Sequence, residues 1–244
     1  MPDRAATLEI LRDGVIDVVG RVIGSSNNAL LVTVACPSPG PGAIEALAAI
    51  YKPTAGERPL DDFPEGTLTR REVAAWHVSE ASHWDIVPPT VLRDGPFGEG
   101  MVQAYVESDP TVGVVELITT ADPRLRRMAV LDAAINNTDR KGGHILPVDG
   151  GQHIHGVDHG VCFSPVPKLR TVLWAWRGQR LARDELDGLG RIRDGLDGDL
   201  GVTLRTLLGR TEVRATVRRV DALLASERFP LPSPTWPAIP WPPF

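Results

Sequence analysis

The sequence predicts an α+β fold with two lobes, a β-rich N-terminal lobe followed by a helical C-terminal lobe. Apolar and β-branched runs separated by turn residues dominate the first hundred residues, and one helical stretch lies among them. From Val114 onward, apolar residues recur at helical spacing, most clearly over residues 124–136. The 244 residues, 42% of them hydrophobic, are enough for two joined lobes that bury a sizeable core.

The N-terminal lobe is expected to span residues 1–106. A short helix is expected over residues 5–12. Thr69, with Glu72 three residues later, is typical of a capping box and predicts a second helix that ends near His83. The sequence Gly-Ser-Ser-Asn-Asn at residues 24–28 predicts a turn between the first two strands. Strands are expected at residues 16–23, 29–35, 46–51, 90–93 and 100–106.

The C-terminal lobe is expected to span residues 107–228, with a loop-rich segment over residues 137–167. Residues 229–244 form a separate tail with seven prolines and two tryptophans, a composition that predicts an extended chain rather than a helix or a central strand. Helices of the lobe are expected at residues 124–136, 169–181, 185–196 and 213–226.

Charge and composition exclude several classes of protein. The formal net charge of −5 disfavours a general nucleic-acid binder, which normally has a basic excess. No apolar run reaches the ~18 residues that a membrane-spanning helix needs, and the first residues lack the apolar core of a signal peptide, so a cytoplasmic protein without membrane insertion is expected. The two isolated cysteines predict neither a disulfide framework nor a zinc knuckle.

Lysine is rare in this sequence. Of the 26 basic residues only Lys52, Lys141 and Lys168 are lysines, and the others are arginines. A lysine that persists where arginine is used almost everywhere else indicates a position that needs a compact ammonium group rather than a guanidinium fork.

A set of polar residues matches the requirements of phosphoryl transfer. The reaction needs a carboxylate near the acceptor hydroxyl, ligands that hold a metal ion against the phosphates, and a cation on the phosphates. Asp139 is the candidate for the first function, and His144, five residues later, and Asp158 are candidates for the second. The cation would be Lys52, paired with Glu72 on the next helix or, as a second choice, with a glutamate further along that helix, Glu80.

The order of these motifs resembles the protein-kinase-like fold in its atypical branches, which include phosphatidylinositol 3- and 4-kinases and HipA-like kinases. More closely, the chain resembles a family of short actinobacterial proteins that are similar to phosphatidylinositol 3- and 4-kinases. The resemblance covers roughly residues 15–180. It rests on the lysine strand at residues 49–53, the helix start at 71–76, the stretch at 87–90, the catalytic loop at 137–140 and the metal-binding Asp-x-Gly at 157–160.

The resemblance implies ATP as the phosphoryl donor, with Mg²⁺ or Mn²⁺. It also implies which residues surround the nucleotide. Lys52 would contact the phosphates. The phosphates would be covered by Ser25, Ser26 and Asn27, and the hinge beside adenine would be formed by Gln103, Tyr105 and Val106.

Three departures from the family pattern qualify these expectations. The turn at residues 24–28 lacks the usual Gly-x-Gly-x-x-Gly sequence. His144 stands where the pattern usually has Asn, and an imidazole ligand shifts the expected preference from magnesium toward manganese. The segment after Gly160 lacks the Ala-Pro-Glu of protein kinases, so the resemblance does not carry over an acceptor.

The sequence therefore predicts an ATP- and metal-dependent phosphotransferase. Its acceptor would be a hydroxyl of a small molecule, a lipid headgroup or a protein, with a small molecule favoured. The alternative is a nucleotide-binding pseudokinase with a regulatory or scaffold function, suggested by His144 and the missing Gly-rich loop. A less favoured alternative is a metal hydrolase that uses a cluster of His153, His155 and His159.

Overall fold

The computed structural model describes residues 4–22, 28–36 and 44–244 of the chain. The helices are α1 Arg4–Asp13, α2 Leu68–Ser82, α3 Val114–Thr119, α4 Arg126–Ile135, α5 Arg183–Asp197, α6 Asp199–Leu207 and α7 Arg210–Ser226. The strands are β1 Val15–Arg21, β2 Leu30–Ala35, β3 Ala46–Pro53, β4 Thr90–Gly95, β5 Gly98–Ala104, β6 Ile145–Val148 and β7 His153–Gly156.

The strands of the N-terminal part form one antiparallel sheet in the order β1-β2-β3-β5-β4. Successive residues of a strand point to opposite faces, so Tyr51 and Lys52 face different sides of this sheet. Tyr51 is buried with Ile10 and Leu11 of α1. Lys52 reaches α2 on the other side. The sheet therefore lies between two helices, and the predicted α+β fold with a β-rich first part is confirmed.

The second part of the chain is mainly helical, and α4 lies in its core. Eight of the ten residues of α4 are buried, from Met128 to Ile135. The α2 helix of the first part also packs against this core, which extends to α5, α6 and α7. A buried ion pair joins the two parts, because the Arg71 guanidinium of α2 donates to Glu212 of α7 at 2.5 Å. The helix α2 is thus shared by the sheet and the helical part and helps to attach one to the other.

The start of α2 differs from the prediction. The helix begins at Leu68, and Thr69 lies inside its first turn rather than at the N-cap. The carboxylate of Glu57 accepts the backbone N–H groups of Leu68 and Thr69, at 3.0 and 2.8 Å. Because a carboxylate eleven residues upstream satisfies these donors, Glu72 is free for another contact and the predicted capping box is wrong.

The helix predicted at residues 169–181 is also wrong. This stretch contains only a single 3-10 turn at Trp174–Trp176. Its backbone N–H groups bind carbonyls elsewhere in the chain instead of carbonyls one helical turn away. The N–H groups of Arg170, Thr171 and Val172 donate to the carbonyls of Asn137, Ala238 and Arg140, respectively. These tertiary hydrogen bonds outweigh the local apolar periodicity.

The other helices of this part follow the sequence more closely. The helices expected at 124–136, 185–196 and 213–226 are confirmed as α4, α5 and α7, with altered ends. The short helices α3 and α6 were not among the predicted elements. Within the described residues, no helix has both the length and the apolar character required to cross a bilayer.

Two glycines of α5 provide a matched test of how this helix packs against Trp84, which follows α2. A Cβ atom on Gly188 would lie 2.3 Å from the ring of the buried Trp84, whereas nothing lies within 4 Å of a Cβ on Gly190. We predict that Gly188→Ala destabilises the protein by about 1–3 kcal/mol through overpacking. Gly190→Ala should leave stability unchanged or raise it by up to about 1 kcal/mol. Urea unfolding of both variants measures the difference, and equal stabilities would contradict the described packing.

Candidate active site

An ion-pair network lies where the sheet meets the helical part. The Lys52 ammonium of β3 lies 2.6 Å from Glu72 of α2 and 3.0 Å from Asp158, which follows β7. The Lys52 side chain is only 15% exposed, and that of Asp158 is 46% exposed. Asp158 therefore presents part of its carboxylate to solvent, while one of its oxygens contacts Lys52.

The charges of this network support each other. Burial opposes the Lys52 charge, but the carboxylates of Asp158 and Glu72 outweigh burial and raise the pKa of Lys52 above its ordinary value. Lys52 in turn lowers the pKa of Asp158 well below its usual range. Burial raises the pKa of Glu72, and Lys52 acts against this shift. At neutral pH the arrangement is one ammonium between two carboxylates.

Glu72 also fixes the loop that carries Asp158. Its second carboxylate oxygen accepts the backbone N–H of His159 at 2.7 Å. Asp158 itself adopts a left-handed conformation, with φ of 60°. Asp tolerates this region better than most residues, and such conformations concentrate at functional sites. One buried glutamate thus connects the lysine strand to the Asp158 loop. The second-choice partner, Glu80, pairs with Arg4 instead.

The loop that carries Asp139 is held by side chains on either side of it. The Asn137 amide donates to Asp132 of α4 at 2.9 Å, and its oxygen accepts the Asp139 backbone N–H at 3.0 Å. Thr138 donates its hydroxyl to the Val161 carbonyl at 2.7 Å. The Asp139 carboxylate lies 3.2 Å from the Lys141 ammonium and is partly exposed. The backbone of this loop is fixed, and its carboxylate remains accessible.

Arg140 has a structural function that the sequence did not reveal. Its fully buried guanidinium pairs with the fully buried Asp132 at 2.9 Å. It also donates to the Val157 carbonyl at 2.9 Å and to His159 Nε2 at 2.6 Å. Arg140 therefore joins α4, the Asp139 loop and the Asp158 loop. The signal in the sequence was an acid, Asp132, inside an otherwise apolar helix, which indicates a buried partner.

The two predicted metal ligands, His144 and Asp158, lie next to each other. His144 Nε2 lies 3.3 Å from Asp158 Oδ2. Burial lowers the pKa of His144, which keeps the imidazole neutral, and its Nδ1 accepts the Lys141 backbone N–H at 3.5 Å. One carboxylate and one imidazole are a donor set that suits a divalent metal, and the nitrogen favours manganese over magnesium. The two side chains could therefore hold a divalent metal ion.

The three predicted hinge residues differ in their contacts and exposure. The buried Gln103 amide donates to Thr90 at 2.8 Å and is therefore used inside the sheet. The backbone N–H of Tyr105 donates to the Ala48 carbonyl at 3.0 Å, and its side chain is exposed. Val106 is largely buried. The predicted phosphate-covering residues Ser25, Ser26 and Asn27 lie outside the described residues.

The three histidines of the alternative metal site bind separate partners. His153 contacts the Asp85 carbonyl at 2.7 Å, and His155 contacts the Ile86 carbonyl at 3.2 Å. His159 contacts Arg140. Across residues 4–22, 28–36 and 44–244, no group of three or more His, Cys, Asp or Glu side chains is arranged to hold a metal ion. The described geometry therefore gives the hydrolase no support.

The chain is similar in sequence to a mycobacterial protein and similar in structure to a kinase. It is 40% identical over 270 aligned positions to "Protein Rv2133c" of Mycobacterium tuberculosis, covering 96% of this chain and 94% of that protein. No family model matches the chain. Its structure is similar to that of the Helicobacter pylori proinflammatory kinase CtkA, with a TM-score of 0.51 and 12% identity over 90% of this chain and 94% of the other. The fold is thus the two-lobed fold of a kinase.

Removal of the Lys52 ammonium tests the network. In Lys52→Met, Glu72 is buried without a counter-ion, and we predict a loss of about 3–5 kcal/mol in the free energy of unfolding at pH 8. The pKa of Glu72 is already raised in the folded protein, and the variant raises it further. A carboxyl group with a higher pKa in the folded than in the unfolded protein binds its proton more tightly in the folded state, so a fall in pH stabilises the fold. The loss in the free energy of unfolding caused by Lys52→Met should therefore be smaller at pH 5 than at pH 8.

Urea unfolding at both pH values measures this effect. The control is Arg183→Met, which removes an exposed ion pair with Asp187 and should cost less than about 1 kcal/mol at either pH. A loss of equal size for the two variants, or one that does not depend on pH for Lys52→Met, would contradict the description of the network.

Proposed function

We propose that this chain, which belongs to the same family as the mycobacterial Protein Rv2133c and has a kinase fold, transfers the γ-phosphoryl group of ATP to a hydroxyl group. The observation that supports this most directly is the chain of contacts Glu72–Lys52–Asp158–His144, in which the Lys52 ammonium lies beside the two proposed metal ligands. The motif order further supports a place near the phosphatidylinositol 3- and 4-kinase-like branch of the fold.

Lys52 is proposed to bind the nucleotide phosphates. Its ammonium has three donors, and the two carboxylates beside it hold the group in place and keep it charged. When phosphate oxygens approach the Lys52 ammonium, the ion pair with Glu72 can persist, while the Asp158 carboxylate exchanges Lys52 for the metal ion. A guanidinium in this confined space would be larger and would prefer a planar partner, which explains a lysine in an arginine-rich chain.

Asp158 and His144 are proposed to hold the metal ion. The bound metal would neutralise charge on the phosphates of ATP. The low pKa of Asp158 ensures that the carboxylate is ionised, and the lowered pKa of His144 ensures that the imidazole is neutral, so both groups are in their ligating forms at neutral pH.

Asp139 is proposed to act on the acceptor. The acceptor oxygen forms a bond to the γ-phosphorus, its proton passes to the Asp139 carboxylate, and the bond to the β-phosphate oxygen breaks to release ADP. Asn137 orients Asp139 through its backbone N–H. Lys141, 3.2 Å from that carboxylate, lies where it can bind the phosphoryl group during transfer.

A nucleotide-binding pseudokinase is the second candidate. The Asp139–Lys141 ion pair favours it, because the Lys141 ammonium occupies the carboxylate that would have to contact the acceptor hydroxyl. Both candidates require the nucleotide site, and only the enzyme requires proton transfer to Asp139.

Replacement of the acceptor-side carboxylate separates the two candidates. We predict that Asp139→Asn lowers ATP turnover at least about 100-fold, since the amide cannot accept the hydroxyl proton. Thermal stabilisation by ATP with Mg²⁺ or Mn²⁺ should persist. The matched control is Asp194→Asn on an exposed part of α5, which should turn over ATP at the wild-type rate. Wild-type protein that binds ATP without turnover would instead establish the pseudokinase.

The second metal ligand sets the metal preference. We predict that His144→Asn, which replaces a nitrogen donor with an amide oxygen, shifts the ratio of activity with Mn²⁺ to activity with Mg²⁺ toward Mg²⁺. Turnover measured across a concentration series of each metal gives this ratio. An unchanged ratio would show that His144 does not contact the metal.

A further inference from the structure

The proline-rich tail is bound beside the candidate catalytic loop. The Gly142 N–H, three residues beyond Asp139, donates to the Pro243 carbonyl at 2.8 Å. The Phe244 ring packs on Gly142 so closely that a Cβ there would lie 2.1 Å from the ring. The end of the tail therefore covers the surface of the loop that carries the proposed acceptor-side carboxylate.

A second part of the tail lies along the segment that flanks this loop. Thr171 forms a bridge with Arg140, the neighbour of Asp139. The Ala238 carbonyl accepts both the Thr171 N–H at 3.0 Å and the Trp174 indole N–H at 2.7 Å. The tail thus occupies the backbone donor of Thr171 and the indole donor of Trp174, next to the loop of Asp139.

Lys168, the third lysine of the chain, holds the tail at another point. Its ammonium lies 4.0 Å above the Trp236 ring and 2.7 Å from the Asp62 carboxylate. Asp62 belongs to the connection between β3 and α2, so Lys168 contacts both the N-terminal part and the tail. An ammonium over an aromatic ring is attracted by the ring's quadrupole, so Lys168 favours the observed position of the tail.

We propose that residues 236–244 form the wall of the cleft on the acceptor side, and that this wall restricts the acceptor to a small hydroxyl compound. The proposal rests on the phosphotransferase function proposed above. The tail supplies in cis the contacts that a polypeptide acceptor would make. The Phe244 and Trp236 rings, 56% and 40% exposed, each lie against the chain on one side, over Gly142 and Lys168. A wall that excludes water also protects ATP from hydrolysis, in which water rather than the acceptor attacks the γ-phosphorus and yields ADP and phosphate.

The experiment releases the tail without altering the residues assigned to ATP, metal or acceptor. The variant is Trp236→Ala/Phe244→Ala, and the control is Trp241→Ala, whose side chain is 85% exposed in the same tail. Amide hydrogen exchange at Gly142 and Thr171 reports release, because both N–H groups are bound by tail carbonyls. The other measurements are thermal stabilisation by ATP with Mg²⁺, ATP hydrolysis without acceptor, and phosphate incorporation into unfolded casein.

The double variant is expected to exchange faster at both amides, to keep its stabilisation by ATP and to hydrolyse ATP several-fold faster than the wild type. Trp241→Ala should match the wild type, and the wild type should leave casein unmodified. With a measurable rate in the wild type, unchanged hydrolysis in the double variant would overturn the wall, as would unchanged exchange or phosphorylation of casein by the wild type. Absence of ATP stabilisation in the wild type, or of ATP turnover in both proteins, would instead refute the phosphotransferase itself.

Discussion

The buried ion pair between Arg140 and Asp132 is the constraint on which the geometry of the site depends. Both side chains are fully buried, and the guanidinium contacts carbonyls or side chains of the Asp139 and Asp158 loops as well as α4. Burial opposes the Arg140 charge, but Asp132 outweighs burial and raises the pKa of the guanidinium. Such pairs add little net stability compared with an apolar core, yet removing one partner is costly. Their function here is to fix the relative position of the two loops that carry Asp139 and Asp158.

The lobes are coupled by charge as well as by apolar packing. Glu72 receives the Lys52 ammonium from the sheet and the His159 N–H from the helical part. On the same helix, Arg71 donates to Glu212 of α7. Because adjacent residues of α2 point in different directions, one helix serves both the cleft and the C-terminal core. Movement of α2 would change the position of Lys52 and the loop of Asp158 together.

The sequence was informative where the physical signal is local. Periodicity identified α4, α5 and α7, and the rarity of lysine together with motif spacing led to Lys52, Glu72, Asp158 and His144, which the structure brings together. It failed where distant backbone groups decide the conformation. The stretch at 169–181 is apolar at helical spacing but is bound by the loop of Asp139 and by the tail. The cap of α2 comes from Glu57, eleven residues before Leu68, and no local pattern contains that information.

Lys52, Asp158 and His144 are proposed to form one metal–nucleotide site. Isothermal titration calorimetry of the whole chain with ATP tests this most directly, in the presence of Mg²⁺ or Mn²⁺ and in the presence of a chelator. We expect one ATP to bind per chain, and binding to be weakened by the chelator and by Asp158→Asn, because the Asp158 carboxylate is the proposed oxygen ligand. ATP binding that is equally strong with chelator and in Asp158→Asn, or no binding with either metal, would contradict it.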